Sequence, residues 1–197
     1  MALFRLIIPE RRKGIKVLKN YKEYKTPLRE DFNNRCGYCD DPDSKNGGKR
    51  TYQIDHFVPR KHFLTIKEND YFNLVYACSF CNRGKWYHWP TKCEDIHHNG
   101  TEGFIDPCND DYEKQFERND CGEIKPKTEL GTYMHEKLKL YLKRHAVIWN
   151  IDRLSNIKKA IKEELAGTDR SDLKEELLNL FLEEETYIKA LEEENEK

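Results

Sequence analysis

The spacing of apolar residues changes along this chain, from short clusters in the first two thirds to a helical stripe in the last third. Residues 3–8 form an apolar run that predicts a short strand. Residues 52–58 are rich in β-branched and aromatic side chains and stop at a proline, which predicts a second strand, and residues 73–77 predict a third. A short helix is expected over 78–86, although Gly84 is unfavourable inside it.

The last third of the chain has the apolar period of helices. Apolar side chains recur every three or four positions from 130 to 165 and again from 173 to 191. Gly167 separates the two stretches and Ser171 is a suitable cap for the second. We therefore expect one helix that ends near Gly167 and another that follows it.

The region between these two patterns is different again. Residues 87–127 contain several prolines with scattered glycines and asparagines, which predicts irregular structure. The chain is therefore expected to divide into a mixed strand and helix domain, residues 1–127, and a helical C-terminal region, residues 128–197.

Composition supports a metal-stabilised protein of the cell interior. Hydrophobic residues make up 37% and charged residues 36% of the 197 positions, so the core is modest and would benefit from a bound metal. No apolar run reaches the length of a membrane span or the form of a signal peptide. We expect a soluble, cytoplasmic protein without membrane contact.

Charge is distributed unevenly, although the formal net charge is only −1. Residues 1–30 carry nine basic and three acidic side chains, whereas residues 158–197 carry seven basic and thirteen acidic ones. A basic body suits a polyanionic ligand. The acidic tail either contacts something else or is a solvated surface.

Four cysteines stand in two identical Cys-x-x-Cys pairs, Cys36/Cys39 and Cys78/Cys81. This spacing is typical of a structural zinc site with four thiolate ligands, and four unrelated buried cysteines would not explain it. A second metal site is conceivable from a looser set, but its spacing fits no pattern, and free thiols and surface histidines explain it better. That set is Cys93, His97, His98, Cys108 and Cys121.

Polar residues between the cysteines suggest hydrolytic chemistry on a phosphodiester. His56 can accept a proton from water near neutral pH, and Asp55 and Asn82 offer the oxygen ligands that Mg²⁺ or Mn²⁺ prefers. Asn73 would fix the orientation of His56 through a hydrogen bond. Because neighbouring strand residues face opposite ways, Asp55 and His56 can share one site only where the strand end twists or bulges.

These segments together resemble the HNH endonuclease family in its four-cysteine form. The residues that carry the resemblance span 36–85 and are Cys36-x-x-Cys39, Ile54-Asp55-His56-Phe57-Val58-Pro59, Asn73-Leu74-Val75 and Cys78-x-x-Cys81-Asn82-x-x-Lys85. The third motif position is Asn82, which makes this an H-N-N variant. The resemblance implies an α+β fold with a zinc-stapled ββα-metal core. It also implies His56 as general base, Asp55 and Asn82 as ligands of a catalytic divalent ion, and Asn73 as the support of His56.

The flanking segments are similar to standalone HNH proteins of bacterial anti-phage systems, such as the Septu-type and retron-linked nucleases. The similar segments are residues 103–107, residues 122–124 and the helix through Arg144. This resemblance implies an effector of defence that works with an ATPase partner.

Contacts to DNA are expected from cations that flank the proposed site, and these give affinity without sequence information. The candidates are Arg60, Lys61, Arg83 and Lys85, with the basic N-terminal stretch as a possible extension. The side chains of residues 86–89 (Trp86, Tyr87, His88 and Trp89) either stack on unpaired bases or, as we favour, pack in the core or against the zinc site.

Two alternatives to a DNA-cutting enzyme of low sequence specificity remain open. One is a non-catalytic zinc module that binds nucleic acid. The other is a regulatory subunit that acts through its C-terminal helices. Those helices either pack on the nuclease body or contact a partner or a second copy of the chain.

Overall fold

The computed structural model describes residues 3–5, 7–167 and 170–195, without the side chain of Asn195. Contacts divide the chain into two compact units, one of Met1–Asp120 with Ile124–Tyr141 and one of Cys121–Glu123 with Leu142–Lys197. The sequence-based boundary at 127/128 stays a prediction. Within the described residues, no helix has both the length and the apolar character needed to cross a bilayer.

The first unit is built around an antiparallel hairpin and a helix that follows it. Its elements in chain order are α1 (Lys25–Asp31), β1 (Gln53–His56), β2 (Leu74–Ala77), α2 (Ser79–Lys85), β3 (Phe116–Arg118), β4 (Ile124–Pro126) and α3 (Glu129–Lys137). β1 pairs with β2 so that Asp55 lies opposite Val75 and His56 opposite Leu74. All four residues of β2 are buried, which makes this strand the centre of the core. The order β1, β2, α2 is the expected ββα arrangement.

Two predictions for the first unit were wrong. Residues 3–5, 7 and 8 form no strand, and Leu6 lies outside the described residues. Leu3 and Ile7 are exposed because no neighbouring strand covers them. The region 87–127 is also less irregular than expected, since β3 and β4 form a second antiparallel hairpin.

Part of the basic N-terminal stretch is structural, which differs from its expected role as an extended DNA contact. The Arg5 guanidinium is buried and donates hydrogen bonds to the carbonyls of Gly37 and Pro107. Arg11 is also buried, donates to the carbonyl of Leu74, and pairs with Asp106 at 2.9 Å. Arg5 therefore joins the N-terminal segment to Gly37 and Pro107, and Arg11 joins it to the first residue of β2.

The second unit contains a pair of long helices, α4 (Lys143–Leu165) and α5 (Ser171–Asn195). Leu154, Ile161 and Leu173 are buried, and the Ser155 hydroxyl donates to Glu184 at 2.7 Å. The helix that we expected to run from 130 to 165 is instead interrupted after Lys137. The backbone there turns through Lys139, whose φ is +57°, so the stripe is shared between α3 and α4.

Candidate active site

The four predicted zinc ligands lie together at the junction of the hairpin and α2. Their sulfur atoms all lie within 4.8 Å of one another, and all four residues are buried. The sulfurs of Cys39 and Cys78 are 3.8 Å apart. Zinc–sulfur bonds of about 2.3 Å in a tetrahedron give a sulfur–sulfur separation of about 3.8 Å, whereas a disulfide requires about 2.05 Å. The cluster therefore fits a tetrahedral zinc ion.

Burial and backbone hydrogen bonds act in opposite directions on the pKa of these thiols. Burial raises the pKa of the thiols of Cys39 and Cys81, because thiolate anions are poorly solvated there. Backbone N–H groups donate to two of the sulfurs, from Cys78 to Cys36 at 3.3 Å and from Cys81 to Cys78 at 3.5 Å. A bound dication would stabilise the thiolate forms that burial alone disfavours.

Asp55 is oriented by two donors that both contact the same carboxylate oxygen. The Tyr38 hydroxyl lies 2.6 Å and the Lys85 ammonium 2.9 Å from Oδ2. Oδ1 has no hydrogen-bond partner among the described residues. It is the oxygen that remains available to a divalent ion at the cleft.

Lys85 has a different role from the one predicted, since its side chain is fully buried. Besides Asp55, its ammonium contacts the backbone carbonyl of His56 at 3.0 Å. The prediction that Lys85 contacts nucleic acid was therefore wrong. An ammonium with no access to solvent cannot reach a phosphate, and this one instead fixes the end of β1.

His56 is the last residue of β1, and its ring is held by one polar and two aromatic contacts. Its Nε2 lies 2.9 Å from the carbonyl of Glu68, and the rings of Tyr21 and Phe63 pack edge-on at 4.7 and 5.8 Å. Because a carbonyl only accepts, Nε2 must carry the hydrogen, and the neutral ring then presents the lone pair of Nδ1. Burial lowers the pKa of His56, which favours that neutral form.

Asn73 makes no hydrogen bond to the His56 ring among the described residues, so the hydrogen bond that we expected between them was wrong. Its side chain instead binds both backbone groups of Val58, accepting from the N–H at 2.8 Å and donating to the carbonyl at 3.2 Å. The Asn73 carbonyl also accepts from Phe57 N–H at 2.8 Å. Asn73 thus fixes the chain just after His56, while the Glu68 carbonyl orients the ring.

Asn82 lies in α2, directly after the zinc ligand Cys81. Its Nδ2 donates to the side-chain oxygen of Gln53, which leaves Oδ1 available to a ligand. The backbone N–H of Asn82 donates to the carbonyl of Cys78 at 3.0 Å. The position of this amide therefore depends on the same turn that supplies two of the zinc ligands.

Asp55, His56 and Asn82 line one cleft of about 640 Å³. The register of β1 and β2 is continuous through Asp55 and His56, so the strand end brings them to one cleft without a bulge. Five basic side chains line the same cleft: Lys22, Lys25, Arg50, Arg60 and Arg83. Asp55 is the one acidic residue among the described residues that line it. The cleft is suited to an anionic ligand.

The predicted phosphate contacts are only partly at this cleft. Arg60 and Arg83 line it, and Arg60 also pairs with Glu68 at 2.6 Å. Lys61 lies outside the lining, with its ammonium 5.4 Å from the centre of the Tyr87 ring. Sequence reasoning missed three other lining residues, Tyr21, Arg50 and Gln53. Only the basic bias of residues 1–30 pointed to Lys22 and Lys25.

The aromatic residues after α2 differ in how deeply they are buried. Trp89 is buried against Phe57 and Phe104, as we favoured. Trp86 and Tyr87 are exposed and line the cleft, so core packing was the wrong expectation for these two.

The looser set of cysteines and histidines does not form a metal cluster in the described part of the chain. No three ligand atoms of Cys93, His97, His98, Cys108 and Cys121 come within the 4.8 Å that the four-cysteine cluster satisfies. None of the seven cysteines, which all lie within the described residues, forms a disulfide.

Comparison with protein families agrees with this geometry. Residues 36–86 match the family model HNH, described as HNH endonuclease. The match covers the two cysteine pairs, the hairpin and α2, and confirms the α+β fold class with a zinc-compatible core. A search of curated proteins and a search of solved structures each found no match.

Proposed function

We propose that this protein is a divalent-metal-dependent HNH endonuclease that hydrolyses phosphodiester bonds of DNA with low sequence specificity. The observation that carries the proposal is that one basic cleft is lined by residues with three atoms suited to binding a metal ion or accepting a proton. They are Oδ1 of Asp55, Oδ1 of Asn82 and, in the tautomer that Glu68 imposes, Nδ1 of His56.

The roles follow from the chemistry of each atom. A Mg²⁺ or Mn²⁺ ion held by Asp55 and Asn82 would stabilise the charge that develops on the phosphate and the leaving oxygen. His56 takes a proton from the attacking water at Nδ1. Lys85 and Tyr38 hold Asp55, and Asn73 holds the backbone at Val58, so that these groups keep their relative positions.

The substrate is assigned from charge. Lys22, Lys25, Arg50, Arg60 and Arg83 suit a phosphate backbone. Backbone contacts carry no sequence information, and the described residues contain no helix-turn-helix or zinc-finger module that reads bases. Low specificity is therefore expected.

The biological setting is proposed from sequence resemblance alone. The flanking segments support an effector role in anti-phage defence, with an ATPase partner or self-association through α4 and α5. The acidic α5 is the part of the chain that we propose for such contacts.

The alternative of a non-catalytic zinc module predicts binding without cleavage, so the test is metal-dependent nicking. Supercoiled plasmid is incubated with wild-type protein and Asp55→Ala protein, each with Mg²⁺, with Mn²⁺ or with EDTA added at the start. We expect nicks only for wild type with a metal ion, and retained zinc in both proteins by elemental analysis. Nicking by Asp55→Ala at the wild-type rate, or in EDTA, would refute the assigned site.

A further inference from the structure

Building on the proposed nuclease function, we infer that Trp86 and Tyr87 form a stacking platform for unpaired bases. The preferred substrate would then be single-stranded DNA, or DNA with an unpaired segment, and not continuous duplex. Neither the zinc site nor the catalytic residues require an aromatic side chain at these positions.

The first observation is that Trp86 is 63% exposed and adopts an unfavourable backbone conformation. Its φ is +44° and its ψ is −128°, a region that suits glycine far better than a bulky residue. Trp89, three residues later, is only 4% exposed. Since folding alone would favour a glycine at position 86, a bulky ring that faces solvent there needs another explanation.

The second observation is where the ring stands. The Trp86 N–H donates to the carbonyl of Asn82 at 3.0 Å, which places it one helical turn from a proposed metal ligand. Trp86 and Tyr87 both line the cleft that contains His56. Their ring centres are 5.0 Å apart at an interplanar angle of 70°, so the two rings offer faces in different directions.

The third observation concerns the basic side chains near these two rings. The cations that line the cleft suit the phosphates of a nucleic acid strand, and the Lys61 ammonium lies over the Tyr87 ring at 5.4 Å. A positively charged groove with aromatic side chains along it is the usual means of holding single strands, because every base has a flat face. Bases within a duplex are already stacked on each other and cannot use such a platform.

The experiment compares binding of the two forms of DNA without cleavage. Fluorescence anisotropy is measured with a labelled single strand of about 12 nucleotides and a hairpin duplex of the same sequence, without added Mg²⁺ or Mn²⁺. The variants are Trp86→Gly, which removes the ring and relieves the backbone, and Trp86→Phe, which keeps a ring. Tyr141→Ala is the matched control, since Tyr141 is 56% exposed and lies outside the described lining of the cleft.

We expect wild type to bind the single strand more tightly than the duplex. Trp86→Gly should weaken single-strand binding about five- to a hundredfold and duplex binding less than twofold. Trp86→Phe and Tyr141→Ala should bind nearly as wild type does. The melting temperature of Trp86→Gly should equal or exceed that of wild type, which separates lost stacking from lost folding.

Two results would overturn the platform alone. One is an equal loss of affinity for both forms of DNA in Trp86→Gly, and the other is unchanged single-strand affinity in that variant. Either result counts against the platform alone if the wild-type protein nicks plasmid and Asp55→Ala does not. A wild-type protein that binds neither form of DNA would overturn both the platform and the proposed nuclease function.

Discussion

Replacing Asn73 by alanine tests the link between the fold and the candidate site, because this side chain satisfies two backbone groups of the buried residue Val58. An unpaired buried donor or acceptor costs about 1–3 kcal/mol, and the 3.2 Å bond is the weaker of the two. We therefore expect the free energy of unfolding to fall by about 2–4 kcal/mol. The melting temperature should fall by about 5–15 °C.

The control for this substitution is Asn99→Ala. Asn99 also accepts hydrogen bonds from backbone N–H groups, those of Thr101 and Glu102, but its side chain is exposed. Water can replace the lost hydrogen bonds there, so the free energy of unfolding should fall by less than about 1 kcal/mol. Thermal unfolding followed by circular dichroism measures both variants. Equal melting temperatures for the two would refute the structural role of Asn73.

The same variant separates two explanations of how Asn73 affects cleavage. Because the His56 ring is bonded to the Glu68 carbonyl and not to Asn73, Asn73→Ala should lower the cleavage rate without moving the acidic limb of its pH profile. Rates are measured from pH 5 to 8, well below the melting temperature of the variant. A shifted limb would indicate that Asn73 acts on the ring itself.

Three further predictions concern the supports of the site. Lys85→Met should lower the free energy of unfolding in urea by about 3–5 kcal/mol, because it leaves the buried Asp55 carboxylate without its cation. A fall of less than about 1 kcal/mol would contradict this ion pair. Cys81→Ser protein should contain no zinc by elemental analysis and should not cleave DNA, whereas Cys93→Ser protein should keep both its zinc and its activity. Cleavage by zinc-free protein would show that activity does not depend on the zinc site. Gly84→Ala should destabilise by about 1–3 kcal/mol, because its Cβ would lie 2.5 Å from the Lys137 carbonyl. A gain in stability, as expected for an exposed helix position, would refute that contact.

Local patterns predicted the elements that define the candidate site. The hairpin β1–β2, the helix α2 and the last helix α5 were expected from alternation and helical period, and the structure contains all four. The grouping of four cysteines followed from their repeated spacing. These features were predictable because each depends on residues close together in sequence.

Features that depend on distant contacts were not predictable in the same way. The second hairpin has strands of only three residues each, too short for a period to show. The interruption of the helical pattern near Lys139 involves a positive φ at that residue, and the sequence has no glycine there to indicate it. Lys85 looked like a phosphate contact because its partner Asp55 lies thirty residues earlier, and charge alone does not reveal burial.

Hydrogen-bond partners and some lining residues of the cleft were also not predictable from the sequence. Asn73 was expected to bond to His56, since both belong to one motif, but the hairpin brings the amide to Val58 instead. Lys25 precedes the motif in sequence, and only the fold brings it to the same cleft. The identity of the chemical groups was readable from residue types, whereas their hydrogen-bond partners required coordinates.

In the proposed nuclease, His56 performs the chemistry and the zinc site only holds the scaffold. The direct measurement is the single-turnover cleavage rate of a labelled DNA by wild-type and His56→Ala protein with Mg²⁺, with His98→Ala as a control at an exposed histidine. We predict a fall of about 100- to 10,000-fold for His56→Ala alone, with zinc content close to wild type and both rates measured well below the melting temperature of the variant. Cleavage by His56→Ala at the wild-type rate would show that His56 is not the general base.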